Sequence, residues 1–166
     1  KMPSHAVHIE ALLTAYPDAR IVWAHRDPFK STASFLRLNY LSRAVLGATI
    51  DVDPMISNVL RQLKKHVDRP MSARQRIGDH RFFDLHYADL MRDPVAVMRS
   101  LYDWAGDDLS PATERAMLGW LQAHPQDRFG AAPYSLDQSG VARADLEPIF
   151  DQYISVFDVE LEDGAP

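Results

Sequence analysis

Arg20-Ile-Val-Trp-Ala-His25-Arg26-Asp-Pro28-Phe-Lys30-Ser-Thr-Ala-Ser34 is the stretch that decides the fold. Its first six residues are a short, mostly apolar run with turn signals on both sides: Pro17-Asp18 before it, Asp27-Pro28 after it. Runs of this kind suit a strand buried in a parallel sheet. Asp27-Pro28 then starts a helix reaching about Leu46, because proline is well tolerated in a first helical turn. Upstream, residues 5–16 read as a helix with Ile9, Leu12, Leu13 and Tyr16 on one face. Helix, strand, helix is most of a βαβ unit.

Working outward, Pro54 opens a third helix whose buried stripe is Met55, Ile56, Val59, Leu60, Leu63 and Val67. Pro70 is expected to end or kink it. Arg81-Phe-Phe-Asp-Leu-His-Tyr87 is the second strand. Asp93-Pro94 and Ser110-Pro111 each place an N-cap before a first-turn proline, and so begin helices over about 94–105 and 111–123. Residues 124–140 read as a long ordered loop, residues 143–157 as a last helix, and the acidic end 158–166 as a frayed tail. Only two strands are evident. A sheet of two parallel strands is poorly covered, so strands from elsewhere are expected.

The chain has 166 residues, 46% of them apolar and 25% charged, which suits a globular domain rather than a disordered segment. It holds no cysteine, which removes disulfides, a thiol nucleophile and Cys-based zinc. No apolar run approaches the ~20 residues that span a bilayer, so membrane insertion is not expected. The net charge of −5 is uneven. Residues 1–100 carry 15 Lys/Arg against 10 Asp/Glu, and residues 101–166 carry 3 against 13. The first part can hold small anions, whereas the second repels a nucleic-acid backbone, so no nucleic-acid partner is expected.

An Arg at the carboxyl end of a buried strand points into the crevice where open α/β sheets bind ligands. Ser34 lies two turns into the following helix and shares a face with Lys30. Arg26 as a charged fork and Ser34 as a hydroxyl donor can together hold one phosphate. The alternative is an Arg paired with Asp27 beside an ordinary helical Ser. Tyr87, at a strand end, is either core packing or a shelf for a base. His25 and His86 precede ligand candidates, but strand alternation turns them to the other face.

Strand, Arg26-Asp-Pro, helix and Ser34 together resemble the 3′-phosphate element of the sulfotransferases, which use 3′-phosphoadenosine 5′-phosphosulfate (PAPS) as donor. Three further segments resemble that family in the same order. Lys1-Met-Pro-Ser-His5 is similar to the Lys-x-Pro-x-His segment of bacterial-type members. Phe83-Asp-Leu-His-Tyr87-Ala-Asp-Leu90 is similar to the strand whose Tyr meets the adenine. Arg128-Phe-Gly130 with Tyr134-Ser-Leu136 resembles the late loop over the 3′-phosphate.

The resemblance implies an α/β, P-loop-like three-layer fold with a parallel sheet, of which this chain is the helix-rich second half. It also implies roles for individual residues. Arg26, Ser34, Arg128 and Gly130 would bind the 3′-phosphate and Tyr87 the adenine. Lys1 would lie beside the transferred sulfuryl group, and His5 would act as general base, with His8 as its rival. Three features depart from the pattern, one being Ala131-Ala-Pro133 where a basic residue commonly precedes Tyr134. The Gly- and Ser/Thr-rich loop for the 5′-phosphosulfate is absent, and Phe129 replaces a basic residue.

Residues 1–166 therefore read as a single partial domain, the C-terminal portion of a longer cytoplasmic enzyme, inactive alone. The expected reaction moves a sulfuryl group from PAPS to a hydroxyl or amine of a small-molecule, glycan or lipid acceptor lying against residues 35–77. No metal is expected. The missing N-terminal portion is the expected partner, and homo-oligomerisation stays open. Two rivals remain: a nucleotide kinase-like phosphotransferase, and a noncatalytic interaction module with a degenerate nucleotide pocket. Upstream sequence separates the first, and titration with adenosine 3′,5′-bisphosphate the second.

Overall fold

In the computed structural model, residues 2–47, 49–125 and 135–162 are described, the side chain of Asp137 excepted. The element order is α1 (Pro3–Ala6), α2 (Ile9–Ala15), β1 (Ile21–His25), α3 (Pro28–Val45), α4 (Val52–Ile77), β2 (Phe82–His86), α5 (Tyr87–Arg92), α6 (Pro94–Ala105), α7 (Pro111–Ala123) and α8 (Arg143–Phe157), with short 3-10 turns at Asp79–Arg81 and Leu136–Gln138. This is a helix-rich α/β architecture with a small parallel sheet. The described residues divide into two compact units, one from residues 2–19, 26–47, 49–81 and 135–162, the other from residues 20–25 and 82–125.

In the first unit, α4 packs on α8, on α3 and on the short helices α1 and α2. The core contains Leu36, Met55, Val59, Leu146, Phe150 and Tyr153, with Leu146 fully buried. The Phe29 ring meets Phe150 edge-on at 6.3 Å, and the Arg143 guanidinium covers the Phe29 ring at 4.2 Å. Of the two outcomes expected at Pro70, an end of the helix is not seen. α4 continues through Pro70 to Ile77 and stops at Gly78, whose φ of 93° needs a residue without a Cβ. A proline inside a helix costs about 3 kcal/mol. Burial of Val67, Pro70, Met71 and Ala73 on the same helix offsets that cost, at about 1.5–3 kcal/mol for each large side chain.

Two expectations are corrected in this unit. Residues 5–16 form two short helices rather than one, with a break at Val7-His8. The end of the chain is not frayed over residues 158–162. Asp158 turns out of α8 in the left-handed region (φ 48°, ψ 49°), and Val159 is 5% exposed. The Glu162 backbone N–H donates to Asp27 Oδ2 at 2.9 Å.

In the second unit, β1 and β2 pair in parallel from Ile21↔Phe82 to His25↔His86. The sequence reading buried β1 throughout. Its exposure instead alternates, and Val22 is 45% exposed. One face of the pair carries Trp23, His25, Asp84 and His86, as parallel register requires. There, His25 is 1% exposed and its Nε2 lies 2.8 Å from Asp84 Oδ1, while its ring is 5.1 Å from that of His86. The other face packs Phe83 against Trp104 of α6 at 5.6 Å. Arg20 covers the same Trp104 ring and donates to its carbonyl at 2.9 Å. α6 and α7 begin at the expected caps: Asp93 accepts from the Ala96 N–H at 3.0 Å, and Ser110 from the Thr113 N–H at 3.1 Å.

Candidate functional site

The Arg-Asp-Pro turn belongs to the first unit, and Asp27 is its keystone. This carboxylate is 3% exposed. Its Oδ1 accepts from the backbone N–H of Phe29 at 2.7 Å and of Lys30 at 3.3 Å, which caps the free donors at the start of α3. Thr32 strengthens the same turn by donating to the Pro28 carbonyl at 2.7 Å. A capped helix start with a buried acid fixes the backbone direction at Arg26, one residue away. Asp27 thus has a task of its own as a cap, beyond the pairing with Arg26 weighed from the sequence.

Arg26 donates a fork to the C-terminal segment. Its Nε lies 2.5 Å from Glu162 Oε1 and its Nη2 lies 2.9 Å from Oε2. Both side chains remain about one third exposed. The hydrogen bond from Arg26 holds the Glu162 carboxyl below its ordinary value of 4.5, against the opposing effect of burial, and the charges of Arg26 and Lys30 add to it. The Arg26 position is therefore built to receive a carboxylate-shaped anion, and its donors and charge equally fit a phosphate oxygen pair. Ser34 sits on α3 eight residues on and is half-buried, as is Lys30.

The remaining site candidates are placed as follows. Tyr87 is not the last residue of β2; it begins α5 in the second unit and is half-buried. His5 lies on α1 and is exposed, and His8 is the exposed N-cap position of α2. Lys1, Arg128, Phe129, Gly130 and Tyr134 lie outside the described residues. Among the described residues, no group of three or more His, Asp or Glu side chains is placed to hold a metal ion. No described helix is long and apolar enough to cross a membrane.

Two features were not found from the sequence. One is Glu162, which falls in the expected frayed tail, although Val159-Glu160-Leu161-Glu162 alternates apolar and acidic residues in the manner of a docked extended segment. The other is a groove of about 390 Å³ in the first unit, lined by Leu36, Tyr40, Leu41, Val52 and Met55 with Arg37 at its side. It opens beside α3 within one to two turns of Ser34. The apolar spacing of α3 is its only trace in the sequence.

Known proteins point the same way. A family model described as the sulfotransferase family matches residues 1–111. The omega-hydroxy-beta-dihydromenaquinone-9 sulfotransferases Stf3 of Mycobacterium bovis and Mycobacterium tuberculosis are each 24% identical over 157 residues, 92% of this chain and 40% of theirs. The crystal structure of sulfotransferase STF9 from Mycobacterium avium superposes with a TM-score of 0.86 at 49% identity, covering 98% of this chain and 42% of that one. Sulfotransferase STF1 from Mycobacterium tuberculosis gives 0.69 at 25% identity, covering 92% and 38%. The chain spans about two fifths of the length of the relatives it matches. With its Arg-Asp-Pro turn, its parallel strand pair and a family match over residues 1–111, the chain belongs to the sulfotransferase family.

Proposed function

We propose that this chain forms the nucleotide-gripping and acceptor-facing part of a sulfotransferase that takes its sulfuryl group from PAPS. The observation that carries the reading is Arg26. It follows β1 directly in the chain on a turn held by Asp27, with an anion already in its fork.

In this reading Arg26 and Ser34 hold the 3′-phosphate of the donor, and Tyr87 lies against the adenine. Arg128 and Gly130 of the late loop add to the phosphate grip. PAPS supplies the sulfuryl group. Lys1 steadies negative charge on the sulfuryl oxygens, and His5 takes the proton from the acceptor hydroxyl or amine. Catalysis of this kind is mostly positioning and charge stabilisation, because the transferred group needs little covalent help from the protein. No metal takes part in the proposed step.

The groove along α3 is the proposed acceptor site. Its lining is mostly hydrocarbon, with Arg37 as its cation and Ser135 and Ser139 as hydroxyls. Such a surface suits an acceptor with an apolar body and one polar end. The acceptor named for the Stf3 relatives, a hydroxylated menaquinone, has that character.

The test is calorimetry on the intact protein with adenosine 3′,5′-bisphosphate. Arg26→Ala removes a charge-assisted contact worth about 1.5–3 kcal/mol, so affinity should fall roughly 10- to 100-fold. The loss should be much smaller for adenosine 5′-phosphate, which lacks the 3′-phosphate. Equal losses for both nucleotides would make Arg26 a structural residue and remove the basis of the reading.

A further inference from the structure

The Arg26 fork can hold one anion at a time, and in this structure Glu162 has it. We propose that the C-terminal segment 158–162 is a displaceable anionic plug, in which the Glu162 carboxylate stands where the 3′-phosphate of the nucleotide must bind. The proposal rests on the phosphate-binding reading of Arg26 and adds a competition within the chain at that same site.

Three observations support it. First, the contact is two-pronged, engaging Nε and Nη2 of Arg26 with the two carboxylate oxygens. This is the donor pattern by which Arg grips two oxygens of a phosphate, so the two anions compete for the same hydrogen bonds. Second, the charge fits. Glu162 lies in the field of Arg26, the cation of the proposed phosphate site, and of Lys30, which shares a face of α3 with Ser34. A phosphate placed there with the carboxylate still bound would meet a like charge within a few ångströms, which is repulsive.

Third, the segment is tethered so that the carboxylate can leave without unfolding α8. Val159 anchors it, buried and bonded through its N–H to the Ile154 carbonyl at 3.1 Å. Beyond Val159, Glu160 is exposed and Leu161 and Glu162 are only partly covered. Glu162 is held by its fork with Arg26, by the charge of Lys30 and by a backbone bond to Asp27. A tethered competitor of this kind acts at a high effective concentration whatever the amount of protein. Binding of the nucleotide must then release residues 160–162 and open the Asp27 bond as well, and the share of the lost affinity set by the part-exposed ion pair alone is about fivefold.

The experiment uses the intact protein and two readouts. Calorimetry with adenosine 3′,5′-bisphosphate compares wild type, Glu162→Gln, Arg26→Ala and the double variant. Glu162→Gln should bind about fivefold tighter, with adenosine 5′-phosphate unaffected. In the double variant that gain should vanish. Hydrogen exchange of the Glu162 amide should speed up when the bisphosphate saturates the wild type. If Arg26→Ala weakens the bisphosphate but Glu162→Gln leaves it unchanged or weaker, Glu162 is a prop for Arg26 and the plug is refuted. Slower exchange of the Glu162 amide on binding would refute it as well. If Arg26→Ala has no effect on the bisphosphate, the phosphate reading itself fails and the plug falls with it.

Discussion

Replacing Asp27 separates its two structural tasks. Its Oδ1 caps α3 through the Phe29 and Lys30 N–H groups, and its Oδ2 holds the Glu162 N–H. Asp27→Ala removes the cap, worth about 0.5–2 kcal/mol. It also strands the Glu162 N–H and removes a negative charge from a helix N-terminus, each adding about 0.5–1 kcal/mol. The sum is about 1.5–4 kcal/mol. Asp27→Asn keeps one acceptor oxygen but replaces the other with a donor. Whichever way its amide is turned, the NH₂ group faces a backbone N–H, so Asn satisfies one side only and should cost about 1–1.5 kcal/mol. Urea unfolding followed by helical circular dichroism measures both. With a slope of about 2 kcal/mol per molar, the midpoint should fall by about 0.8–2 M for Ala and by about 0.5–0.8 M for Asn. If Asn costs as much as Ala, the two-sided account of Asp27 is wrong. If neither moves the midpoint, the turn does not depend on this carboxylate.

Three further outcomes are expected. In the intact protein His5→Ala should lower kcat by about 10²–10⁴-fold with little change in donor affinity, while His8→Ala should cost far less, and steady-state kinetics across pH 5–9 separates the two. Because Arg26 holds the Glu162 carboxyl below its ordinary value of 4.5, the docked segment keeps its charge contribution above that value and loses it as the pH falls further. An NMR titration of the Glu162 amide should therefore show an acid midpoint below 4.5, and one at or above it would contradict the ion pair. Leu146→Ala empties a fully buried position where α8 packs in the first unit and should cost about 2–5 kcal/mol in urea unfolding, whereas a cost under about 1 kcal/mol would place Leu146 outside the core.

Family membership was legible because its signals are local. Arg26-Asp-Pro28 joins a strand end, a cap and a first helical turn within three residues, and each depends only on backbone chemistry nearby. The caps at Asp93 and Ser110 were legible for the same reason. Tyr87 was placed one element too early, because a short apolar run followed by Ala-Asp-Leu reads equally as a strand end or a helix start. Of the site, the sequence supplied candidates whose roles rest on resemblance, since spacing alone does not say what an exposed His5 or a half-buried Ser34 touches.

Near-neighbour chemistry sets the order of local elements and the groups available at their ends. The long-range pairings arise only from packing. Glu162 meets Arg26 across 136 positions, and His25 meets Asp84 across 59, because docked elements set those distances. The helix through Pro70 is of the same kind, since a local penalty of about 3 kcal/mol is visible in the sequence while the burial that outweighs it is not. A cap or a period is an interaction among near neighbours and can be read where it is written. A fork between distant charges exists only after packing has brought them together.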